Sequence, residues 1–375
     1  MSTIAEYDSA NSKDAILRTR HRILKHEMTE LTDDTYEGTE KRLELIFPPG
    51  TLPSQRCLSR AYWDTVLCSI GAVVLHNTPT QYFDAYLLSE SSLFVYEDRI
   101  ILLTCGRCRP FEALATLATG HTRPEGIEYT RVPFMAPALQ PHPHRAFGDE
   151  CVALQNLLHE AGLGGLLTTQ SSRFNMADPE DEWHCSRPGR AIDPGPEDEW
   201  HCSRAGRAAS TCHMYGIADT AEDEWHCFRA GRAASTCRVA CYMYGIADTA
   251  EAACTQLTAA ALFGATDTSA CILHTHAFEP AGFSVNGAAE HGAAYWTMHV
   301  TPEQACSYAS FETNAMPLAA DAVAHVVRLF APRRAVLVWA QAGDVCVDAP
   351  QGYAACWTCD TRARVCVWTR DECGG

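Results

Sequence analysis

Apolar and polar residues trade places from Glu40 to Phe47 through Lys41-Arg42-Leu43-Glu44-Leu45. That is the period-two pattern of a strand with two different faces. The pattern next predicts a helix that starts after the Pro53-Ser54 turn and ends over Trp63–Leu67. A strand follows over Ser69–Leu75, centred on Val73 and Val74. Strands are expected within Tyr82–Phe94 and over Arg99–Thr104, with a helix over Phe111–Ala118 behind them. Short apolar strands backed by a helix point to an antiparallel sheet covered on one face. Val132–Phe147 reads as a proline- and histidine-rich loop. Asp149–Ala161 reads as an amphipathic helix with Val152, Leu154, Leu157 and Leu158 on its apolar side. Further on, strands are expected over Phe278–Asn286, Ala294–Thr301, Cys306–Glu312, Ala335–Trp339 and Arg364–Thr369. A helix is expected over Ala319–Phe330, with Val323, Val326, Val327 and Phe330 inward.

The two ends of this pattern differ from its middle. Residues 1–34 form an N-terminal extension in which Ile16, Leu17, Ile23, Leu24, Met28 and Leu31 recur at roughly helical spacing. In the middle, Glu-Asp-Glu-Trp-His-Cys occurs three times, at 180–185, 197–202 and 222–227. Met214–Ala221 is repeated at Met243–Ala250. The copies are unequally spaced, so they read as tandem duplication within one strand–loop–helix unit rather than a solenoid. The region from about 178 to 250 is accordingly expected to bulge from the fold as an insertion in a domain covering 35–375.

Composition narrows the classes. The chain has 375 residues, 47% hydrophobic and 20% charged, as in a globular protein. A net charge of -17 counts against nucleic acid or anionic membranes as general partners. No run is apolar for long enough to span a bilayer. The start, Met1-Ser2-Thr3-Ile4-Ala5-Glu6, lacks a basic-then-apolar signal, which points to a cytosolic chain whose 19 cysteines are free thiols.

The chemistry centres on Ser89-Glu90-Ser91-Ser92, which interrupts two apolar runs, Tyr86–Leu88 and Leu93–Tyr96. By itself it is a serine-rich turn between strands. In company it resembles the self-cleavage site of eukaryotic S-adenosylmethionine decarboxylase proenzymes. Tyr36–Glu44 resembles that family's N-terminal signature, and Leu103-Thr104-Cys105-Gly106 its catalytic-cysteine motif. Phe278–Gly287, Tyr295–Glu303 and Ser307–Asn314 are similar to its later motifs, and Pro143–Phe147 also matches. The resemblance implies an α+β fold: a four-layer α/β/β/α sandwich of two antiparallel sheets with helices on the outer faces, its halves alike in topology.

It also implies an activity. Ser91 would attack the Glu90 carbonyl, and elimination of the resulting ester would leave chains 1–90 and 91–375, the second starting with a pyruvoyl group made from Ser91. That covalent group would form a Schiff base with the substrate amine and replace pyridoxal phosphate as the electron sink, with no metal. Ser284 would hold the carbonyl oxygen during the acyl shift, and His299 would remove the α proton during elimination. Cys105 would return a proton to the substrate's α carbon. The pair Cys105 and Cys108 has redox spacing, but no thioredoxin-like pattern surrounds it.

The implied substrate, S-adenosylmethionine, carries a sulfonium cation and adenosine, both suited to aromatic faces. Tyr36 and Phe278 match the two adenine-stacking positions, with tyrosine where phenylalanine is usual. Glu303 would accept hydrogen bonds from the ribose, Leu88 and Glu90 match substrate-binding positions, and Glu37 and Glu40 match acids needed for activity. Glu44 and Glu312 match acids of a putrescine site. Leu103 stands where many members carry lysine, however, and Cys237-Arg238-Val239-Ala240-Cys241 lacks the further acids, so weak or absent stimulation is expected. The product would be the aminopropyl donor for spermidine and spermine. The rival reading is a non-catalytic paralogue regulating an active partner. For the chain itself a homodimer, or a heterodimer with a paralogue, is expected. The Trp-His-Cys repeats and Cys356, Cys359, Cys366 and Cys373 are poor candidates for structural zinc: His and Cys are adjacent in the repeats rather than spaced as in a zinc site, and packing explains Cys366 equally well.

Overall fold

The computed structural model describes residues 36–50, 53–118, 122–168, 183–186, 201–204, 226–231, 238–246, 270–289, 293–303, 306–315, 319–340, 349–359 and 363–370. The helix expected in the N-terminal extension, the Met214–Ala221 copy, the end of its repeat at 247–250, and Cys373 lie outside these residues.

The first sheet has strands β1 (Lys41–Ile46), β2 (Val74–Pro79), β3 (Asp84–Leu88), β4 (Ser91–Val95), β5 (Arg99–Thr104), β6 (Gly126–Arg131) and, beyond two intervening strands, β9 (His226–Gly231). Their order is β2-β3-β4-β5-β1-β6-β9, and the paired neighbours are antiparallel. Among the described residues the intervening strands β7 (Trp183–Ser186) and β8 (His201–Arg204) form a separate two-stranded sheet. The second sheet has β10 (Arg238–Tyr244), β11 (Ala270–Ala277), β12 (Phe283–Ala289), β13 (Tyr295–Thr301), β14 (Tyr308–Thr313), β15 (Arg334–Ala340), β16 (Tyr353–Cys359) and β17 (Ala363–Arg370). Its order is β11-β12-β13-β14-β10-β15-β17-β16. Each sheet is thus a four-strand meander followed by the strand that opens its half of the chain, then by the next. Helices α1 (Arg60–Ser69), α2 (Pro110–Ala118) and α3 (Phe147–Glu160) belong to the first half, and α4 (Ala319–Phe330) to the second. Helix α2 joins β5 to β6 as α4 joins β14 to β15. The halves repeat one topology, as the resemblance implied.

Strand alternation builds the layers. On β1, Leu43 and Leu45 enter a core with Trp63, Val66 and Leu67 of α1, Leu114 of α2 and Leu154 of α3. Arg42 and Glu44 take the opposite face, against the second sheet, where Arg42 meets Glu312. On β13, Trp296, Met298 and Val300 pack with Val323, Val326 and Phe330 of α4. Tyr295 faces the other way, into a cluster with Phe94 and Leu103 of the first sheet. A second apolar cluster, including Val132, Tyr242, Val336 and Val338, closes the other part of the sheet–sheet layer. Between these two patches the layer is polar, and the site lies there.

Some boundaries differ from the sequence reading. Ser69–Leu75 is not a strand. Helix α1 runs to Ser69, Gly71 takes φ 86°, and Ala72 N–H returns to the Leu67 carbonyl at 2.9 Å, so β2 starts only at Val74 and Val73 is exposed. Phe278 lies in the β11–β12 turn rather than in a strand. Val152 is 53% exposed, because the buried stripe of α3 runs through Cys151, Leu154 and Leu158. Strands β6, β11 and β16 were not anticipated. Two parts of the expected insertion are integral: the third Trp-His-Cys copy contributes β9, which pairs with β6, and β10 lies between β14 and β15.

Candidate active site

Ser89 and Glu90 form the two-residue turn between β3 and β4, closed by the pair Leu88 and Ser91. The turn is tied to the end of α1's loop: Ser89 N–H donates to the Val73 carbonyl at 2.8 Å, and Ser89 Oγ accepts from Val73 N–H at 3.0 Å. Ser91 is held at φ 110°, a region that a residue with a Cβ avoids. Such a conformation costs on the order of 1–3 kcal/mol and persists only where its surroundings impose it. Ser91 Oγ donates to Glu40 Oε1 at 2.7 Å, with both residues buried. The Glu90 carbonyl oxygen accepts from the Cys105 backbone N–H at 3.1 Å.

His299 lies beside this turn on β13. Its Nδ1 pairs with Ser284 Oγ at 2.7 Å, and Nε2 lies 2.8 Å from Thr297 Oγ1, 3.1 Å from Ser92 Oγ and 3.8 Å from Glu40 Oε1. Burial lowers its pKa to about 3, which keeps the imidazole neutral near pH 7. Ser92 Oγ and Thr297 Oγ1 also donate to Asn286 Oδ1, at 2.7 and 2.8 Å, and Asn286 Nδ2 donates to the Tyr86 carbonyl at 3.1 Å. Ser284 is therefore brought to His299, whereas a backbone N–H reaches the Glu90 carbonyl. Ser92, Asn286, Thr297 and the Cys105 N–H were not singled out from sequence. The signal for Asn286 and Thr297 was their two-residue offset from Ser284 and His299, which puts them on the same strand faces.

Tyr36, Glu90 and Cys105 meet on the other side of the turn. The Tyr36 hydroxyl donates to Glu90 Oε2 and lies 3.0 Å from Cys105 Sγ. Burial, with Glu90 close by, holds the Cys105 pKa well above the usual thiol range, so it carries its proton at neutral pH. Cys108, also a free thiol, packs against the α1–α2 core and at the same time lines the cavity beside this group. Gly106 makes this closeness possible: it takes φ 57°, and a Cβ there would stand 2.7 Å from Tyr36 Cε2. A cavity of about 370 Å³ opens here, lined by Tyr36, Glu37, Glu90, Gly106, Arg107 and Gln140 among others.

Other expected site residues are distributed around this centre. Glu37 accepts from the Met135 and Ala136 N–H groups and from Gln140 Nε2, which fixes the loop walling the cavity; burial raises its pKa. The Leu88 side chain is packed in the helix-side core, which leaves only its backbone near the turn. Phe278, edge-on to His276 with ring centroids 4.6 Å apart, and Glu303 come from the second half and do not line the cavity. The Glu303 carbonyl accepts from Cys306 N–H at 3.1 Å, and Cys306 Sγ contacts the Tyr36 carbonyl at 3.4 Å, which links this segment to the site.

Glu44 and Glu312 belong to a buried ionic cluster within the sheet–sheet layer. Arg42 pairs with Glu44 at 2.8 Å and with Glu312 at 2.8 Å, and Arg99 lies 3.7 Å from Glu44. Arg238 pairs with Glu128 at 3.0 Å. The Tyr295 hydroxyl donates to Glu312. Leu103 is buried in the adjoining apolar cluster.

Comparison with known proteins puts the chain among the decarboxylases. The family model described as adenosylmethionine decarboxylase matches residues 33–353, and the chain belongs to that family. It is 30% identical over 343 residues to an S-adenosylmethionine decarboxylase proenzyme of Oryza sativa subsp. japonica, covering 88% of this chain and 76% of the relative. It is 29% identical over 329 residues to the proenzyme of that name from Xenopus laevis, covering 82% and 84%. Among solved structures it is similar to the Trypanosoma brucei AdoMetDC-delta26 monomer, with a TM-score of 0.46 and 19% identity, covering 75% of this chain and 99% of that one.

Proposed function

We propose that this chain is a proenzyme that cuts its own backbone between Glu90 and Ser91, and that the product decarboxylates S-adenosylmethionine to the aminopropyl donor for spermidine and spermine biosynthesis. The observation that carries the reading is Ser91 itself: strained, with its hydroxyl on a carboxylate, beside a carbonyl that already accepts a hydrogen bond. Those features suit an intramolecular attack, in which positioning supplies much of the rate. A pyruvoyl group made from Ser91 supplies the electron sink for loss of carbon dioxide. The neutral imidazole of His299, steadied by Ser284 and Thr297, suits removal of the Ser91 α proton. The protonated Cys105 thiol, in contact with Tyr36 and Glu90 of the cavity wall, suits delivery of a proton to the substrate.

The cavity's chemistry supports a cationic substrate with an aromatic part. Two acids, Glu37 and Glu90, outnumber the one cation, Arg107, on its wall, beside the ring of Tyr36. Phe278 and Glu303 are the candidates for a second stacking ring and a ribose acceptor. The arginines in the ionic cluster support diamine independence, since Arg42 and Arg238 already neutralise its acids. Retention of Ser91, Cys105, Ser284 and His299 favours the enzyme over a regulatory paralogue. Assay of purified protein for carbon dioxide release from carboxyl-labelled S-adenosylmethionine tests the reading. Release that Ser91→Ala abolishes is expected; none from the wild-type chain would refute it.

A further inference from the structure

We propose that Glu40 is the base that activates Ser91, and that the Cys105 backbone N–H is the donor that holds the developing oxyanion. The proposal rests on reading Glu90–Ser91 as a self-cleavage site and assigns who moves the proton there. Ser91 Oγ has a carboxylate oxygen at 2.7 Å, inside hydrogen-bond reach of the proton that must leave. His299 is engaged elsewhere: its Nδ1 is on Ser284, and its Nε2 is on Thr297 and Ser92. The Glu90 carbonyl oxygen has the Cys105 N–H at 3.1 Å, the distance and donor type of an oxyanion hole.

The step balances without any co-reactant. The Ser91 O–H bond breaks and its proton passes to Glu40 Oε1. Oγ bonds to the Glu90 carbonyl carbon, and the carbonyl electron pair moves onto the oxygen held by Cys105 N–H. When that pair returns, the bond from Glu90 carbon to Ser91 nitrogen breaks, and the nitrogen takes the proton back from Glu40. An ester replaces the amide, the φ 110° strain at Ser91 is released, and Glu40 is again a carboxylate.

Glu40 is tuned for this exchange by its surroundings. It faces Ser91 from β4, His299 from β13, Tyr308, Ser310 and Glu312 from β14, Tyr242 from β10, Arg42 from the adjoining β1, and Cys105. Burial is the largest influence and raises its pKa to about 7, against the hydrogen bond from Ser91, while the charges of Glu312 and Arg42 oppose each other. A base poised near neutral pH takes and returns a proton with little bias either way.

The test is a time course of cleavage of radiolabelled full-length chain made by cell-free translation, chased at a series of pH values and read on a denaturing gel. The wild-type rate is expected to rise about tenfold per pH unit and level off above about pH 7, because only the carboxylate form acts. Glu40→Gln preserves size and can still accept the Ser91 hydrogen bond, so a merely structural role would survive it. It is expected to slow cleavage by about 100-fold or more and to flatten the pH profile, whereas Glu40→Asp restores part of the rate together with the pH dependence. Glu40→Gln cleaving at the wild-type rate with the wild-type profile would overturn the assignment. So would a wild-type rate that is flat across this range, which needs no variant to fold. A wild-type chain that never cuts at any pH would instead overturn the self-cleavage reading beneath it.

Discussion

Arg238 Nη1 lies 3.0 Å from Glu128 Oε1, and its Nε lies 3.9 Å from Glu312. It enters this buried cluster from β10, out of the segment Cys237-Arg238-Val239-Ala240-Cys241 that lacked the acids of a diamine site. Three carboxylates, Glu44, Glu128 and Glu312, are there met by Arg42, Arg99 and Arg238. A cluster already balanced offers a dication little net attraction and would charge it the full cost of leaving water.

Putrescine is therefore expected to leave both cleavage and turnover unchanged in assays with and without it. Arg238→Ala strands buried carboxylates, and is expected to lower stability by about 3–5 kcal/mol, read as a drop in the unfolding midpoint. A large rise in wild-type turnover on adding putrescine would contradict the cluster's role.

Glu40 and His299 give opposite pH dependences of stability. The folded pKa of Glu40, about 7, lies above its ordinary value, so its contribution is present below the unfolded pKa and lost as pH rises through 7. His299, buried neutral with a pKa of about 3, weakens the fold as pH falls below its ordinary value. In a chain made uncleavable by Ser91→Ala, adding Glu40→Gln is expected to raise stability by on the order of 3 kcal/mol at about pH 8 and to give no such gain at about pH 4. Thermal unfolding at the two pH values reads this directly.

Gly106→Ala places a methyl group 2.7 Å from Tyr36 Cε2 and 3.1 Å from Glu90 Oε2, on a backbone at φ 57°. The ring and carboxylate must move. Decarboxylation is expected to fall by about tenfold or more while the chain still folds, since the strain is confined to the cavity wall. Circular dichroism and turnover measured on the same sample separate the two effects.

His299→Ala removes the base for elimination but not the groups on Ser91. The acyl shift is then expected to proceed and the chain to wait as an ester at 90/91. Hydroxylamine, which cuts esters and spares ordinary amides, is expected to split it into 1–90 and 91–375. Resistance to hydroxylamine would mean that His299 acts before the shift.

Period-two alternation made much of the sandwich legible. Lys41-Arg42-Leu43-Glu44-Leu45 names both faces of β1, and Ala319–Phe330 matches α4 end to end. Ser69–Leu75 misled because the close of α1, carrying Val73 to the surface, has the same β-branched composition as a strand. Strand β9 was hidden by its likeness to repeats that pair apart from the main sheets. The motif residues Ser91, Cys105, Ser284 and His299 were legible through resemblance. The Glu40–Ser91 hydrogen bond and the Cys105 N–H on Glu90 were not, because they join the residue before β1, the β3–β4 turn with the start of β4, and the loop after β5 in space, and a backbone donor leaves no mark in residue identity.

Mass spectrometry of the purified chain, with and without borohydride, tests the central claim most directly. Two polypeptides are predicted, ending at Glu90 and starting at residue 91, the second blocked to N-terminal sequencing and gaining mass when its carbonyl is reduced. One intact polypeptide of 375 residues that remains inert to borohydride would contradict the account.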